Sequence, residues 1–414
     1  MQHSVWFLKL KLVLLSGLYL LSDLIRSPKS FVTIFLGIRQ DKNFYGIQRK
    51  TIIDRLLLNY LPHRYLRREK YIHYDSSPSV IKKLVAIYGD VISEKKSGGT
   101  SHVKHSLFLD VKPKILVIRR SAMGDVILTT PAIRDIYENR AGFCEIYVAT
   151  DFPAVFESSP YVVRALKIDE LASIGDRFDQ VIDLDMAYEK NKRTHVADVY
   201  GFYCNGRPPK NPQPYVASSE LSLKNKELFF VDEHSGESRT IVVHNRQDPT
   251  QPFRGLHEAL WLEIIREIPR LIPSSRSGIS LKIYSIGLKP FDIHVESAHT
   301  HDLRDALSIR ETKTLIEQAD LFIGIDAGPL HLAACTNTPI IAFYTHVDPS
   351  YYTPRRLEGG KKIFNFPADI ECSGCASRYP MPWGFHCARG DFACTRRFKK
   401  EAVYSAIRQS LLTD

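Results

Sequence analysis

From residue 114 onward the chain alternates two hydrophobic periods. Short runs that are apolar at nearly every position read as strands buried on both faces: KILVIRR (114–120), EIYVAT (145–150), RALKID (164–169) and FDQVIDLD (178–185). Between them VILTTPAIRDIYEN (126–139) has helical spacing, and DFPAVFESS (151–159) reads as a second helix. The pattern restarts at RTIVVHN (239–245) and continues through a helix, EALWLEIIREI (258–268), and a strand, SLKIYSIG (280–287). A helix in TKTLIEQA (312–319), a buried strand in DLFIGID (320–326), a loop and helix in AGPLHLAACTNTP (327–339) and a last strand in PIIAFY (339–344) complete it. Strands alternating with helices imply parallel, doubly wound sheets. Two such runs in tandem predict two Rossmann-like domains, about 111–235 and 236–365, facing a cleft. KKEAVYSAIRQSLL (399–412) reads as a terminal helix within a final segment, 366–414.

The first 110 residues follow another pattern. VWFLKLKLVLLSGLYLLSDLI (5–25) is nearly long enough to span a bilayer, but Lys9, Lys11 and Asp23 interrupt it. Lys9, Ser16 and Asp23 recur every seven residues and so share one side of a helix, while Trp6 and Phe7 suit an interfacial anchor. A buried core helix is the alternative. Helical patterning continues through IDRLLLNYLP and VIKKLVAIYGDVI to a linker at Ser97-Gly98-Gly99-Thr100. Charge sharpens this division. Residues 1–113 hold 19 Lys and Arg against 8 Asp and Glu, whereas the other 301 residues hold 37 against 38. A basic extension on a neutral body leaves open an anionic lipid, acidic glycan or nucleic-acid partner, or a solvated surface; with the apolar first helix it favours an anionic membrane surface met by residues 1–70, with the body on the cytoplasmic face whether that helix spans or lies flat. A signal peptide fits poorly, because MQHSVW has no Lys or Arg and no small-residue cleavage site follows Leu21.

In doubly wound sheets ligands bind at the carboxyl ends of the strands. The loop after the first strand is SAMGD, where Gly124 permits a tight turn and Asp125 opens the helix. Capping and catalysis are both roles open to Asp125. In the second half, Asp326-Ala327-Gly328-Pro329-Leu330-His331 follows a strand and opens a helix, a setting that favours a phosphate. His331 falls in the first turn, where donating to a phosphate oxygen and packing structurally under the loop are both open to it.

Taken together, RRSAMGDVILTTPAIR, FDQVIDLD and ADLFIGIDAGPLHLAACTNTPIIAFY resemble glycosyltransferase family 9, the ADP-heptose heptosyltransferases of lipopolysaccharide synthesis, over about residues 113–350. The resemblance implies a GT-B fold and an inverting transfer that needs no catalytic cofactor. It implies an ADP-sugar donor and a lipopolysaccharide or other cell-envelope glycan or glycolipid acceptor. It gives Asp125 the role of general base, and the family's D-S/T-G-x-x-H motif maps onto Asp326, Gly328 and His331 as diphosphate ligands. Three departures follow. Ala327 stands where the family has Ser or Thr. Arg246 or Arg254 stands in for the family's phosphate-binding Lys. No acidic residue for the donor ribose is evident in IGLKPFD (286–292). The alternatives are a protein O-heptosyltransferase and a non-catalytic GT-B binding or scaffold protein. The implied location is the cytoplasmic face of a bacterial inner membrane, peripheral or N-terminally anchored.

Of seven cysteines, Cys144, Cys204 and Cys335 are scattered, and Cys372-x2-Cys375-x11-Cys387-x6-Cys394 cluster. That clustering argues against a secreted disulfide framework and for one tetrahedral sulfur site. Zinc is the default metal. Iron is the alternative, because protein heptosyltransferases that modify autotransporters resemble this arrangement. The arginines and lysines among the cysteines could suggest nucleic-acid binding, but the cluster directly follows a nucleotide-sugar domain, so no nucleic-acid partner is expected.

Overall fold

In a computed structural model of the chain, the structure describes residues 112–412 apart from 174–177, 186, 189–193, 221–237, 250, 273–278, 290–291, 298, 358–361, 379–386 and 388. The expected extension over residues 1–110 lies outside the described residues. Residues 108–379 and 391–414 form one compact unit, and everything below concerns that unit unless stated. Among the described residues no helix is long and apolar enough to cross a membrane.

The first half is a four-stranded sheet in the order β3-β2-β1-β4, built from β1 (Lys114–Ile118), β2 (Glu145–Ala149), β3 (Arg164–Leu166) and β4 (Gln180–Asp183). Every pair is parallel. The apolar run of β1 is buried on both faces, as a central parallel strand requires. Helix α1 (Met123–Asn139) returns the chain and buries Val126 through Ile136. Pro131 lies inside it and cannot donate to the Ile127 carbonyl, but the Thr130 hydroxyl takes that acceptor at 2.7 Å, so the turn survives. The 151–159 stretch forms only a 3-10 turn at Pro153–Phe156 in place of the expected helix. Helix α2 (Val196–Asn205), which the hydrophobic pattern did not reveal, packs beside α1 and stops at Gly206 in the left-handed region.

The second half is a six-stranded, all-parallel sheet. In chain order come β5 (Ser238–His244), α3 (Glu258–Leu271), β6 (Ser280–Ser285), β7 (Thr300–Asp302), α4 (Ile309–Gln318), β8 (Leu321–Ile325), α5 (Gly328–Ala334) and β9 (Ile340–Tyr344). They are followed by α6 (Pro349–Tyr352), β10 (Ile363–Pro367), α7 (Cys375–Arg378) and α8 (Lys400–Leu412). Ser308 and Glu311 form a capping box that starts α4. The sheet order β10-β9-β8-β5-β6-β7 extends past β9 by β10, one strand beyond the expected last one. Terminal helix α8 buries Val403, Ala406, Ile407 and Leu411 beside α3, in the core of the second half. Strand order reverses between β1 and β4 in the first sheet and between β5 and β8 in the second. Crevices open at such switch points, beyond the carboxyl ends of the strands.

One cap predicts acid sensitivity. His195 starts α2 with Nδ1 accepting from the Ala197 N–H at 3.2 Å, while Nε2 donates to the Thr353 carbonyl at 2.9 Å. Burial, reinforced by the charge of Arg355, lowers the imidazole to about 4. The unfolded chain therefore takes up this proton first as pH falls from about 6.5, and stability drops until the folded pKa is reached. The contribution is about 3 kcal/mol, present above pH 6.5 and lost by pH 4. Asparagine caps without titrating, so His195→Asn is expected to flatten the fall of the urea midpoint over that window. An unchanged slope would place the titration elsewhere.

Candidate functional site

The loop leaving β1 is held from within. Arg119, at the strand's end, has its guanidinium nitrogen Nη2 2.7 Å from Asp125 Oδ2 and donates from Nη1 to the Leu184 carbonyl at 3.3 Å. Tyr188 O–H donates to the same Asp125 oxygen at 3.3 Å. Ala122, at the cap of α1, has φ 31°, in the region that disfavours side chains, and supplies no side-chain cap. Asp125 sits in the first turn of α1.

Three loops converge at the carboxyl edge of the second sheet. After β5, the buried Asn245 side chain folds the 245–256 loop on itself, accepting from the Leu256 N–H at 2.8 Å and donating to its carbonyl at 3.0 Å. This loop carries both candidate arginines. Arg246 pairs with Asp248 at 2.8 Å. Arg254 instead directs its charge at Asp326 and His346. After β8 come Asp326 and then Ala327, which caps α5 without a side-chain bond. Burial raises the Asp326 carboxyl, but the adjacent His331, Arg254 and His346 outweigh it and hold the group below its ordinary value. After β9, Thr345 donates to the Phe253 carbonyl at 2.5 Å, which ties this loop to the β5 loop. His346 packs edge-on against Phe253, and burial with the Arg254 charge lowers it to about 3.

The two halves meet at two glycines. A Cβ on Gly124 would lie 2.6 Å from His331 Cδ2 and 3.6 Å from Gly328 Cα. A Cβ on Gly328 would meet Met123 Cε at 2.1 Å. The first turns of α1 and α5 therefore abut, and at Gly124 the buried His331 ring leaves no room for a side chain, whereas at Gly328 the Met123 terminus can give way. His331 is buried there, with Nε2 3.7 Å from Asp326 Oδ1 and, among the described residues, no hydrogen-bond partner on Nδ1. The structure thus gathers Gly124, Asp326, Ala327, Gly328 and His331 and places Asp125 beside Gly124; the Arg254 charge acts on Asp326, and Arg246 pairs with Asp248. Helix α5 is seven residues long, Pro329 has no N–H, and the Leu330 N–H is taken by the Ala327 carbonyl. Free backbone donors are accordingly few there, and side-chain cations gain weight in any phosphate site. Asp292, the carboxylate in the segment where a ribose ligand was sought, is buried against His244 at 3.3 Å and accepts from the Leu288 N–H.

This arrangement has known counterparts. Residues 295–377, which contain β7, α4, β8, α5 and β9 with Asp326, Gly328 and His331, match the profile of glycosyltransferase family 9 (heptosyltransferase). A match at 22% identity covers 61% of this chain and 91% of lipopolysaccharide heptosyltransferase 1 of Campylobacter coli. Over these residues the chain is similar to glycosyltransferase family 9. A further match, 38% identical over 52 residues, spans only 15% of the length of lipopolysaccharide heptosyltransferase 3 of Escherichia coli. Among solved structures, a family 9 glycosyltransferase from Veillonella parvula superposes with TM-score 0.51 at 16% identity, covering 72% of this chain and 97% of that one. TibC from enterotoxigenic E. coli, an iron-containing dodecameric glycosyltransferase, gives TM-score 0.53 at 15% identity over 76% of this chain and 80% of that one. TibC has also been solved in complex with ADP-D-β-D-heptose. These likenesses show the GT-B fold, two α/β halves in tandem.

The cysteine segments border the loops after β5 and β9. The Ala376 N–H donates to the His346 carbonyl at 2.8 Å, and the Asp348 N–H to Ser377 Oγ at 2.9 Å. Near Cys394, the Thr395 carbonyl accepts from the His257 N–H at 2.8 Å. None of the seven cysteines forms a disulfide. Among the described residues, no group of three or more Cys, His, Asp or Glu is arranged to hold a metal ion. Cys387 belongs to the separately grouped residues 380–390. The expected site at Cys372, Cys375, Cys387 and Cys394 therefore rests on spacing alone, and no chemical step runs through a metal. Burial lifts Cys204 and Cys335 to about 12, which leaves both unsuited to nucleophilic roles.

Arg119, Tyr188, Asn245 and His346 carry site geometry that the motifs did not point to. Arg119 opens the quoted segment RRSAMGD without being singled out there, and His346 follows a buried strand, so each had a positional signal. Tyr188 had none.

Proposed function

We propose that the protein transfers heptose, or a related sugar, from an ADP-sugar to a lipopolysaccharide or other cell-envelope glycan by inverting displacement. The observation that carries this reading is the meeting of Gly124, which precedes Asp125, with Gly328 and His331 of the D-x-G-x-x-H segment. Asp125 takes the acceptor hydroxyl's proton as that oxygen attacks the anomeric carbon. Arg254 and His331 carry the charge of the departing diphosphate, the main electrostatic task in such a transfer. The relatives named as lipopolysaccharide heptosyltransferases, and TibC with its bound ADP-heptose, support the donor and acceptor classes.

The basic residues of 1–70 support association with an anionic membrane, on the cytoplasmic face of a bacterial inner membrane. The chemistry of four clustered thiols supports a structural zinc or iron. Elemental analysis of the purified chain should find one such metal per chain; none would remove that part of the reading.

Calorimetry on the full chain tests the donor. ADP-heptose is expected to bind, with UDP-, GDP- and CMP-sugars weaker by at least about tenfold, and Arg254→Ala is expected to weaken ADP-heptose about 10- to 100-fold. A folded protein that binds none of these sugars would overturn the enzyme reading.

A further inference from the structure

We propose that Arg119 and Tyr188 are positioning residues that fix the plane of the Asp125 carboxylate and leave one oxygen open to the acceptor. The proposal rests on the reading of Asp125 as the base. Both protein donors fall on one oxygen: Arg119 Nη2 lies 2.7 Å and the Tyr188 hydroxyl 3.3 Å from Oδ2. No hydrogen bond is made to Oδ1 within the described residues, and the side chain keeps 13% of its surface exposed. A carboxylate held at one oxygen by two donors from fixed directions cannot swing freely. The lone pairs of its other oxygen then point toward an incoming hydroxyl.

The holders are themselves held. The Arg119 guanidinium carbon lies 5.2 Å from the centroid of the Tyr188 ring and 5.8 Å from that of Tyr200. The Tyr188 ring meets Tyr200 edge-on at 6.2 Å and Tyr352, from α6 of the second half, at 6.1 Å. The base's orientation is thus set by groups from both halves. Arg119 is only 6% exposed and lies against two rings, so it cannot serve as a cation for an anionic acceptor without leaving Asp125.

The step balances simply. The acceptor O–H bond breaks and its proton passes to Oδ1. The freed electron pair forms the new bond to the anomeric carbon, and the old carbon–oxygen pair leaves with the diphosphate. Throughout, Oδ2 goes on accepting from Arg119 and Tyr188, so nothing in the holder must rearrange.

The test measures transfer from saturating ADP-heptose to a cell-envelope glycolipid extract, donor Kd by calorimetry and Tm, on the full chain carrying D125N, Y188F, R119K or R119M. Y188F keeps both ring contacts and removes only the hydroxyl, so it decides the matter even if R119M does not fold. It should slow kcat about 5- to 10-fold with donor Kd and Tm unchanged. R119M should slow kcat about 100-fold, and R119K should recover part of that loss. Wild-type kcat in both Y188F and R119K, beside an inactive D125N, would overturn the positioning role and leave Asp125 as the base. A fully active D125N would overturn the assignment of the base itself.

Discussion

Replacing Asp125 by asparagine is expected to slow sugar transfer about 10²- to 10⁴-fold while donor affinity stays within about twofold. Asparagine has nearly the volume of aspartate, and its carbonyl can still accept from Arg119, so the loop after β1 keeps its course. What vanishes is the carboxylate proposed to receive the acceptor's proton. The same change removes the counter-charge of a guanidinium that is 6% exposed. Loss of one partner from so buried a pair typically costs about 3 kcal/mol or more, softened here by the surviving hydrogen bond. The fall in rate must therefore be read beside Tm and donor Kd on one preparation. A drop in kcat at intact donor binding identifies a base. Equal losses in all three would make Asp125 a structural anchor, and an undiminished rate would move the base elsewhere.

The parts of this site that were legible in the sequence are those whose signal is local. SAMGD and DAGPLH each follow a run of buried strand residues and open a helix, and that succession alone places them at the carboxyl edge of a sheet. Long-range relations were not legible. Tyr188 reaches Asp125 across 63 positions, and no residue spacing marks it. The choice between Arg246 and Arg254 was equally closed, because both lie in one polar loop. In the fold Arg246 pairs with Asp248, whereas the charge of Arg254 acts on Asp326. The same logic explains the misread elements. β10 is only partly buried, so its sequence IFNFP lacks the continuous apolar signature of a central strand. The segment 151–159 has helical composition, but Pro153 and the short reach to β3 leave room for only one 3-10 turn.

Alanine at Gly255 should be the most damaging substitution in the 245–256 loop. A Cβ there would lie 1.7 Å from the Arg246 carbonyl oxygen and 2.8 Å from both the Arg246 carbonyl carbon and Asn245 Oδ1. Two of these atoms are backbone, so no rotamer change relieves the clash, and the strands of the loop must separate. Separation would break the paired bonds between Asn245 and Leu256, both fully buried, and leave the Asn245 amide without partners. It would also disturb the bridge between Arg246 and Asp292 and carry Arg254 away from Asp326. Overpacking plus a broken buried amide pair together predict a loss of about 3–5 kcal/mol. Gly206 supplies the comparison. It adopts φ 71° but has open space around its missing Cβ, so Gly206→Ala should cost only about 1 kcal/mol, from backbone strain alone. Urea midpoints for the two variants therefore separate a packing requirement from a conformational one. If G255A proved no less stable than G206A, the close approach that folds the loop would be wrong. If it folds but binds ADP-heptose at least about tenfold more weakly, the loop's closure is what presents Arg254 to the diphosphate.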